Sequence, residues 1–348
     1  MMTCPICEHE ATIVKTNLQG YLLSPKRYSI ANCKGCNVSF ALPSETDSEV
    51  YEAIYKNADY LNDYKDYKVF AKEVLTQSNP IEYLKSKRIE YCAVMNSLNE
   101  IYEKKKTRLD VLEVGCGLGY TTYALNSEPQ KYDALGIDIS ETAISQARSK
   151  YGNHFVCEDI IEYASENESS FDAVILVEII EHLPNIFPFL QALFRLIKKG
   201  GCLILTTPNR SAYPNKALWQ TTLFPVHLWW FSEQAIEIIT KRLGEGALLK
   251  LYDMNLCENF KKYNYHDSDL GKTFSPSLMV SEHGEIELLR KPADTHIGYF
   301  SNLLKKIKRK LHKIIRIMLR QKIRIAYKHH HLCAVITKQG DEYADGQG

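Results

Sequence analysis

Short apolar strands alternating with helical stretches predict an α/β fold, a largely parallel sheet covered by helices on both faces. Two further observations complete the plan. Two Cys-x-x-Cys pairs stand within the first 36 residues, and a long polar then basic stretch interrupts the pattern before its last strand. The expected boundaries are a cysteine module over 1–42, a helical linker or lid over 43–106, and the α/β domain over 107–256 and 331–339. An insertion would fill 257–330, and 340–348 reads as a disordered tail.

The 348 residues are 45% hydrophobic and 24% charged, an ordinary globular composition. No apolar run approaches the ~20 residues of a membrane span, and MMTCPICEHE has no apolar signal core. A cytoplasmic protein is therefore expected, its ten cysteines reduced or metal-bound. The net charge of +1 hides an asymmetry: residues 301–331 hold 11 Lys/Arg and no acid, so the remainder is acidic.

Cys4-Pro-Ile-Cys7 and Cys33-Lys-Gly-Cys36 are separated by 25 residues. Each pair can supply two thiolates from one knuckle, and two knuckles close a tetrahedral zinc site. Four thiolates leave no open position, so the zinc would be structural. About 40 residues could hardly build a core without it. Cys116 and Cys202 lie beside strands and read as packing residues.

The linker is rich in tyrosine, with Tyr51, Tyr55, Tyr60, Tyr64 and Tyr67 at near-helical intervals, and helices are expected over Val69–Leu75 and Ile81–Leu98. Leu109–Val114 is a short apolar strand that runs into Gly115-Cys116-Gly117-Leu118-Gly119, with a helix beginning after it. Strand, glycine turn and helix form the context of a nucleotide-type loop. The spacing is GxGxG, not the GxGxxG of dinucleotide folds. A second strand, Ala134–Asp138, ends in an acid placed to accept from ribose hydroxyls. Ser140 caps the next helix. Further strands are His154–Cys157, Phe171–Val177 and Cys202–Thr207. Between the last two, a helix Phe189–Ile197 is expected to end at Lys198-Lys199-Gly200-Gly201.

With these motifs in order, the chain resembles the class I S-adenosylmethionine-dependent methyltransferases over about 109–256. LEVGCGLG, GIDIS, CEDI, FDAVILVEIIEHLP and LIKKGGCLILTTPN look like five successive family motifs. EHLP and PVHLWWFS look most like the branch with ubiquinone-biosynthesis O-methyltransferases. The N-terminal ribbon is similar to that of sugar- and polysaccharide-associated methyltransferases. The resemblance implies a Rossmann-like seven-stranded sheet with S-adenosylmethionine as cofactor. Gly115, Gly117 and Gly119 would face its methionine part, and Glu113 would orient that loop. Asp138 would bind ribose and Ile139 would flank adenine. Asp159 would accept from the adenine amino group, with Ile160 beside it. Glu178 would begin the loop near the sulfonium. The linker tyrosines either pack the ribbon or form a lid, and Arg88 is a candidate for the cofactor carboxylate.

Chemistry in such sheets lies beyond the carboxyl ends of the strands. This places Glu178, Glu181, His182, Asn209 and His227 near the reaction. His227 and then His182 are the candidate bases, with Glu178 beside them. Trp229 and Trp230 either stack on an acceptor or plug the core. No Asp/Asn-Pro-Pro-Tyr sequence follows the fourth strand, and no Pro-Cys pair offers a nucleophile, which argues against base-amino and cytosine-carbon acceptors. His329-His330-His331 reads as an adventitious metal binder without function.

Ala247–Met254 and Leu332–Thr337 fit the last two strands, and about 75 residues separate them, far beyond a hairpin loop. Residues 258–292 form a candidate acceptor lid. Leu304, Ile307, Leu311, Ile314, Ile315 and Met318 make an apolar stripe in a basic amphipathic helix over 301–327. Such a helix lies on anionic lipid at the inner membrane face, contacts nucleic-acid phosphates, or packs within the protein or an oligomer. The leading reading is methyl transfer to a hydroxyl or carbon of a small or glycan-type acceptor, lipid-linked if the helix meets the membrane. An RNA methyltransferase and a non-catalytic cofactor-fold module are the competing readings.

Overall fold

The computed structural model describes residues 2–20, 26–46, 64–212, 224–257, 278–280, 286–288 and 329–340. Strands β1 (Met2–Thr3), β2 (Glu10–Gln19), β3 (Arg27–Cys33) and β4 (Ser39–Leu42) open the chain, followed by helices Lys65–Glu73, Pro80–Lys87 and Ile89–Lys105. Strands β5 (Leu109–Val114), β6 (Tyr132–Asp138), β7 (Phe155–Cys157), β8 (Phe171–Val177) and β9 (Ile197–Pro208) then alternate with helices Tyr120–Asn126, Glu141–Tyr151, Ile160–Glu166 and Ile186–Leu196. After β10 (Trp229–Trp230) come helix Glu233–Leu243, β11 (Ala247–Leu251), the short pair β12 (Leu278–Val280) and β13 (Ile286–Leu288), and β14 (His331–Lys338).

The seven-stranded sheet runs β11-β14-β9-β8-β5-β6-β7. Strands β5 to β9 pair in parallel, and β14 lies antiparallel between β9 and β11. Period-two alternation divides the core between the two faces. Leu109, Val111, Ala173, Ile175 and Ile204 pack beneath the helices of residues 65–126. Leu112, Val114, Val174, Leu176 and Leu205 pack on the other face, continuous with Cys4, Ile6, Tyr28 and Phe40 of the N-terminal sheet. No described helix is long and apolar enough to cross a membrane.

The helix expected over Phe189–Ile197 instead spans Ile186–Leu196, and the Lys198-Lys199-Gly200-Gly201 segment belongs to β9. The register jumps here: Phe171 faces Ile197 while Ala173 faces Cys202. The irregular strand start lets Lys198 Nζ reach Asp110 (2.5 Å) and Asp172 (3.0 Å), an ion cluster that offsets the lysine's lost hydration. The helix expected over Ile81–Leu98 is broken at Arg88, whose backbone is extended. The basic helix expected over 301–327, Tyr51, Tyr55, Tyr60, most of the expected lid over 258–292 and the tail from 341 lie outside the described residues.

The tryptophans of PVHLWWFS do not face an open acceptor site. They form β10, which pairs antiparallel with β4 (Trp229 opposite Phe40, Trp230 opposite Ser39) and so adds a fifth strand to the N-terminal sheet. Both are buried, and Trp229 Nε1 donates to the Leu183 carbonyl at 2.7 Å. Large apolar rings fill the junction between ribbon and α/β domain, where Tyr28 also stacks on Phe224 at 5.1 Å.

Candidate active site

β5 delivers the glycine loop and β6 the carboxylate under it. Asp138 Oδ2 accepts from the Gly117 amide (2.9 Å) and Oδ1 from the Ser140 amide (2.8 Å), so one side chain ties two loops together. Glu113 is buried, and its Oε2 accepts from both the amide (2.8 Å) and the hydroxyl (2.5 Å) of Thr122. It thereby anchors the helix that follows the loop. Burial pushes its carboxyl up to about 7.

The glycines serve different ends. A β-carbon on Gly119 would meet Phe155 at 2.5 Å and Ala147 at 2.8 Å, so close packing requires that glycine. A β-carbon on Gly117 would meet nothing within 4 Å, although its φ is +50°. Gly117 therefore faces open space directly above Asp138, where a ligand's backbone-close approach would need a bare α-carbon. Gly115 packs on Ile179, which carries the loop after β8 up to the glycine turn.

Ile139 is 77% exposed at the end of β6, an apolar surface suited to a flat base. Asp159 caps helix Ile160–Glu166, its Oδ1 accepting from the Ile161 amide at 2.8 Å. Ile160 turns into the core, and the exposed apolar neighbour is Ile161. The loop, the carboxylate beneath it and the exposed Ile139 fit an adenosine-type cofactor.

Above the loop, Tyr91 and Tyr120 share a hydrogen bond of 2.5 Å and meet Phe70 edge-on. Arg88 lies over the Tyr67 ring, 5.4 Å from its centroid, with Asp66 at 3.5 Å. The break in the helix thus aims a guanidinium toward the tyrosines beside the glycine loop.

The opposite wall stands at the carboxyl ends of β8 and β9. Glu181 is fully buried; its Oε2 accepts from Thr207 Oγ1 at 3.0 Å, and among the described residues Oε1 has no hydrogen-bond partner. Burial pushes its carboxyl up to about 8. Burial, then neighbouring Glu181, raises Glu178 well above the carboxylate range. Both carboxyls therefore hold their protons more tightly than exposed ones would. His182 Nδ1 donates to the Val226 carbonyl at 2.6 Å, and its ring meets that of His227 edge-on at 4.6 Å. Burial holds the His182 imidazole below its ordinary range. Ligand atoms of Glu181, His182 and His227 lie within 4.8 Å of one another. Asn209 is buried farther along and donates to Glu233 at 3.1 Å.

The sequence reading missed a second group. His331 Nδ1 lies 3.2 Å from Glu90 Oε1, and His331 Nε2 lies 3.8 Å from Glu178 Oε2. Glu90 was hidden in an apolar-looking helix, and His331 in a histidine run. The signal lay in topology: an antiparallel last strand brings its first residue to the carboxyl edge, and His331 does pair opposite Pro208.

In the N-terminal sheet, the sulfurs of Cys4, Cys7, Cys33 and Cys36 lie within 4.8 Å of one another, with Cys4–Cys36 at 3.7 Å and Cys7–Cys33 at 3.3 Å. A tetrahedron of thiolates at about 2.3 Å from a central ion has edges of this length, so the donor set fits zinc. The knuckle carbonyls are held by the α/β domain: Ser232 Oγ donates to Cys36 (2.6 Å), Gln234 to Gly35 (2.8 Å), and Arg242 to Pro5 (3.0 Å) and Ile6 (2.9 Å).

Fold and site together define a nucleotide-cofactor α/β domain with a GxGxG loop. A family profile described as a methyltransferase domain matches residues 84–244. Over this stretch the chain is similar to methyltransferases of the S-adenosylmethionine-dependent class. It is 31% identical over 164 residues to a probable S-adenosylmethionine-dependent methyltransferase of Mycobacterium tuberculosis (strain ATCC 25618 / H37Rv), covering 47% of this chain and 56% of that one. It is 27% identical over 208 residues to the ubiquinone biosynthesis O-methyltransferase of Aliivibrio fischeri (strain ATCC 700601 / ES114), covering 56% and 81%. The chain spans about half the length of the first curated relatives it matches. Among solved structures, a SAM-dependent methyltransferase from Archaeoglobus fulgidus aligns with a TM-score of 0.41 and 19% identity, covering 71% of this chain and 93% of that one.

Proposed function

We propose that this protein transfers the methyl group of S-adenosylmethionine to a hydroxyl of a small-molecule acceptor, on a scaffold braced by a structural zinc. The observation that carries the reading is the open face of Gly117 above Asp138, together with a wall of half-buried imidazoles and carboxyls around the buried Glu181. When bound, the cofactor supplies an activated methyl carbon. The chain's own residues then have three tasks. Asp138 and Ile139 hold the nucleoside, with Asp159 at its base edge. Arg88 balances the charge of the amino-acid carboxylate. Glu178, Glu181, His182 and His227 shape the acceptor wall and exclude water, so that the acceptor oxygen meets the methyl carbon in line.

The O-methyltransferase relatives support a hydroxyl over a carbon acceptor. A glycan-type or lipid-linked acceptor, and contact with the inner membrane face, would depend on the segment 301–327. Zinc at Cys4, Cys7, Cys33 and Cys36 would hold the sheet that β10 completes, and so would brace the loop bearing His227.

Calorimetric titration with S-adenosylmethionine tests the cofactor site, beside Asp138→Asn. Micromolar binding, weakened at least about tenfold by the substitution (about 1.4 kcal/mol), is expected. Radiolabelled methyl transfer to 3,4-dihydroxybenzoate and to nucleotide sugars then tests the acceptor. No binding by folded protein would overturn the enzyme reading. Binding with transfer only to carbon or nitrogen acceptors would overturn the hydroxyl.

A further inference from the structure

We propose that His331 is the general base for the transfer, positioned by Glu90. This rests on the hydroxyl-acceptor reading. Glu90 is 4% exposed and begins helix Ile89–Lys105, while His331 begins β14. Two elements 241 residues apart in sequence thus meet at one imidazole. Nδ1 lies 3.2 Å from Glu90 Oε1, which favours the tautomer with the proton on Nδ1. Nε2 is then the basic nitrogen. It points toward Glu178, but 3.8 Å is too long for a hydrogen bond, and the His331 side chain keeps 25% exposure. Glu178 adjoins Ile179, which packs on Gly115, so the His331–Glu178 contact stands next to the glycine loop.

The other imidazoles are placed differently. His182 commits Nδ1 to the Val226 carbonyl and packs edge-on against His227. A carboxylate behind an imidazole sets its orientation and stabilises the imidazolium that forms.

The step balances. The acceptor O–H proton passes to His331 Nε2 as the acceptor oxygen bonds to the methyl carbon. The carbon–sulfur bond breaks, and its electron pair stays on sulfur as the neutral thioether. The positive charge lost from sulfur reappears on the imidazolium, beside Glu90. The other charged or titratable groups facing this site are Glu178 and Glu181 from the loop after β8, and Tyr67 and Arg88 from the lid helices. Burial raises the proton affinity of both Glu178 and Glu181, and any negative charge they keep would favour the imidazolium as Glu90 does.

The test compares His331→Asn and Glu90→Gln with the full-length wild type, using single-turnover transfer to 3,4-dihydroxybenzoate and to a thiophenol analogue, 4-mercaptobenzoate. A thiophenol is already ionised at neutral pH and needs no base. The expected result for His331→Asn is unchanged S-adenosylmethionine affinity, a loss of about 10²–10⁴-fold toward the hydroxyl, and less than about threefold loss toward the thiol. The acid limb of the rate–pH profile should disappear. Glu90→Gln, a positioning change, should retain cofactor binding and slow hydroxyl transfer more than thiol transfer. Equal losses toward thiol and hydroxyl would overturn the proposal in favour of a structural role. Hydroxyl transfer by His331→Asn at the wild-type rate would overturn it outright, as would wild-type transfer that chelation abolishes and magnesium restores, since Glu90, Glu178 and His331 would then be cation ligands. Thiol transfer by the wild type with no hydroxyl transfer to any acceptor would instead sink the hydroxyl reading.

Discussion

Gly117 and Gly119 share a left-handed backbone, with φ of +50° and +77°, yet the structure assigns them opposite roles. Alanine at either position pays about 1–2 kcal/mol for that conformation. At Gly119 the new β-carbon also lands 2.5 Å from Phe155 and 2.8 Å from Ala147, both in a small buried cluster with Cys116 and Ile144. Overpacking of this kind adds about 1–3 kcal/mol. At Gly117 no atom stands within 4 Å, so no packing cost is added. One kcal/mol shifts Tm by about 2–4 °C in a domain of this size. Gly119→Ala should therefore melt about 2–12 °C below Gly117→Ala. Cofactor affinity should rank the other way: Gly117→Ala should fold yet bind S-adenosylmethionine at least about tenfold more weakly, about 1.4 kcal/mol. Thermal melts followed by circular dichroism, with calorimetric titration of both variants, read the two effects separately. A Gly119→Ala protein that melts at or above Gly117→Ala would refute the packing argument. Wild-type affinity in Gly117→Ala would refute the ligand path.

Further expectations concern metal, pH and charge. Cys36→Ser should abolish stoichiometric zinc in elemental analysis, lower Tm, and red-shift tryptophan emission as β4 and β10 separate around Trp229; full zinc content in the variant would count against a four-cysteine site. Glu113 binds its proton more tightly folded than unfolded, because burial raises it from 4.5 to about 7. The stability linked to that proton is complete below about 4.5 and lost as pH rises through 7. Glu113→Gln still accepts from Thr122 and does not ionise, so urea unfolding should show its stability relative to wild type improving by roughly 3 kcal/mol between pH 4 and pH 8 (about 1.4 kcal/mol per unit); a pH-independent difference would contradict the buried carboxyl. Arg88→Met should weaken S-adenosylmethionine binding about 10- to 150-fold, the range of 1.5–3 kcal/mol for a hydrogen bond to a charged group. It should leave 5′-methylthioadenosine, which lacks the carboxylate, unaffected; equal losses for both ligands would place Arg88 elsewhere.

Local chemistry could be read from the residues alone. Strand, glycine turn and helix at 109–126, the acid closing the next strand at Asp138, the Ser140 cap and the paired cysteine knuckles are all set within a few residues, because turns and caps are local. They were legible without a fold, and the sheet order, the Thr122 anchor of Glu113 and the four converging sulfurs agree with them. Only the tertiary structure decided what depends on pairings distant in sequence. An aromatic pair such as Trp229-Trp230 reads equally as a binding platform or as core, and β4 chose core by pairing with it. Arg88 was a candidate for the cofactor carboxylate on residue type, but its direction toward Tyr67 came from a helix break inside what read as one continuous helix. His331 was indistinguishable from its histidine neighbours until the antiparallel register of β14 set it against Glu90, because a side chain's partner is fixed by which strand ends meet and not by the residues beside it in the chain.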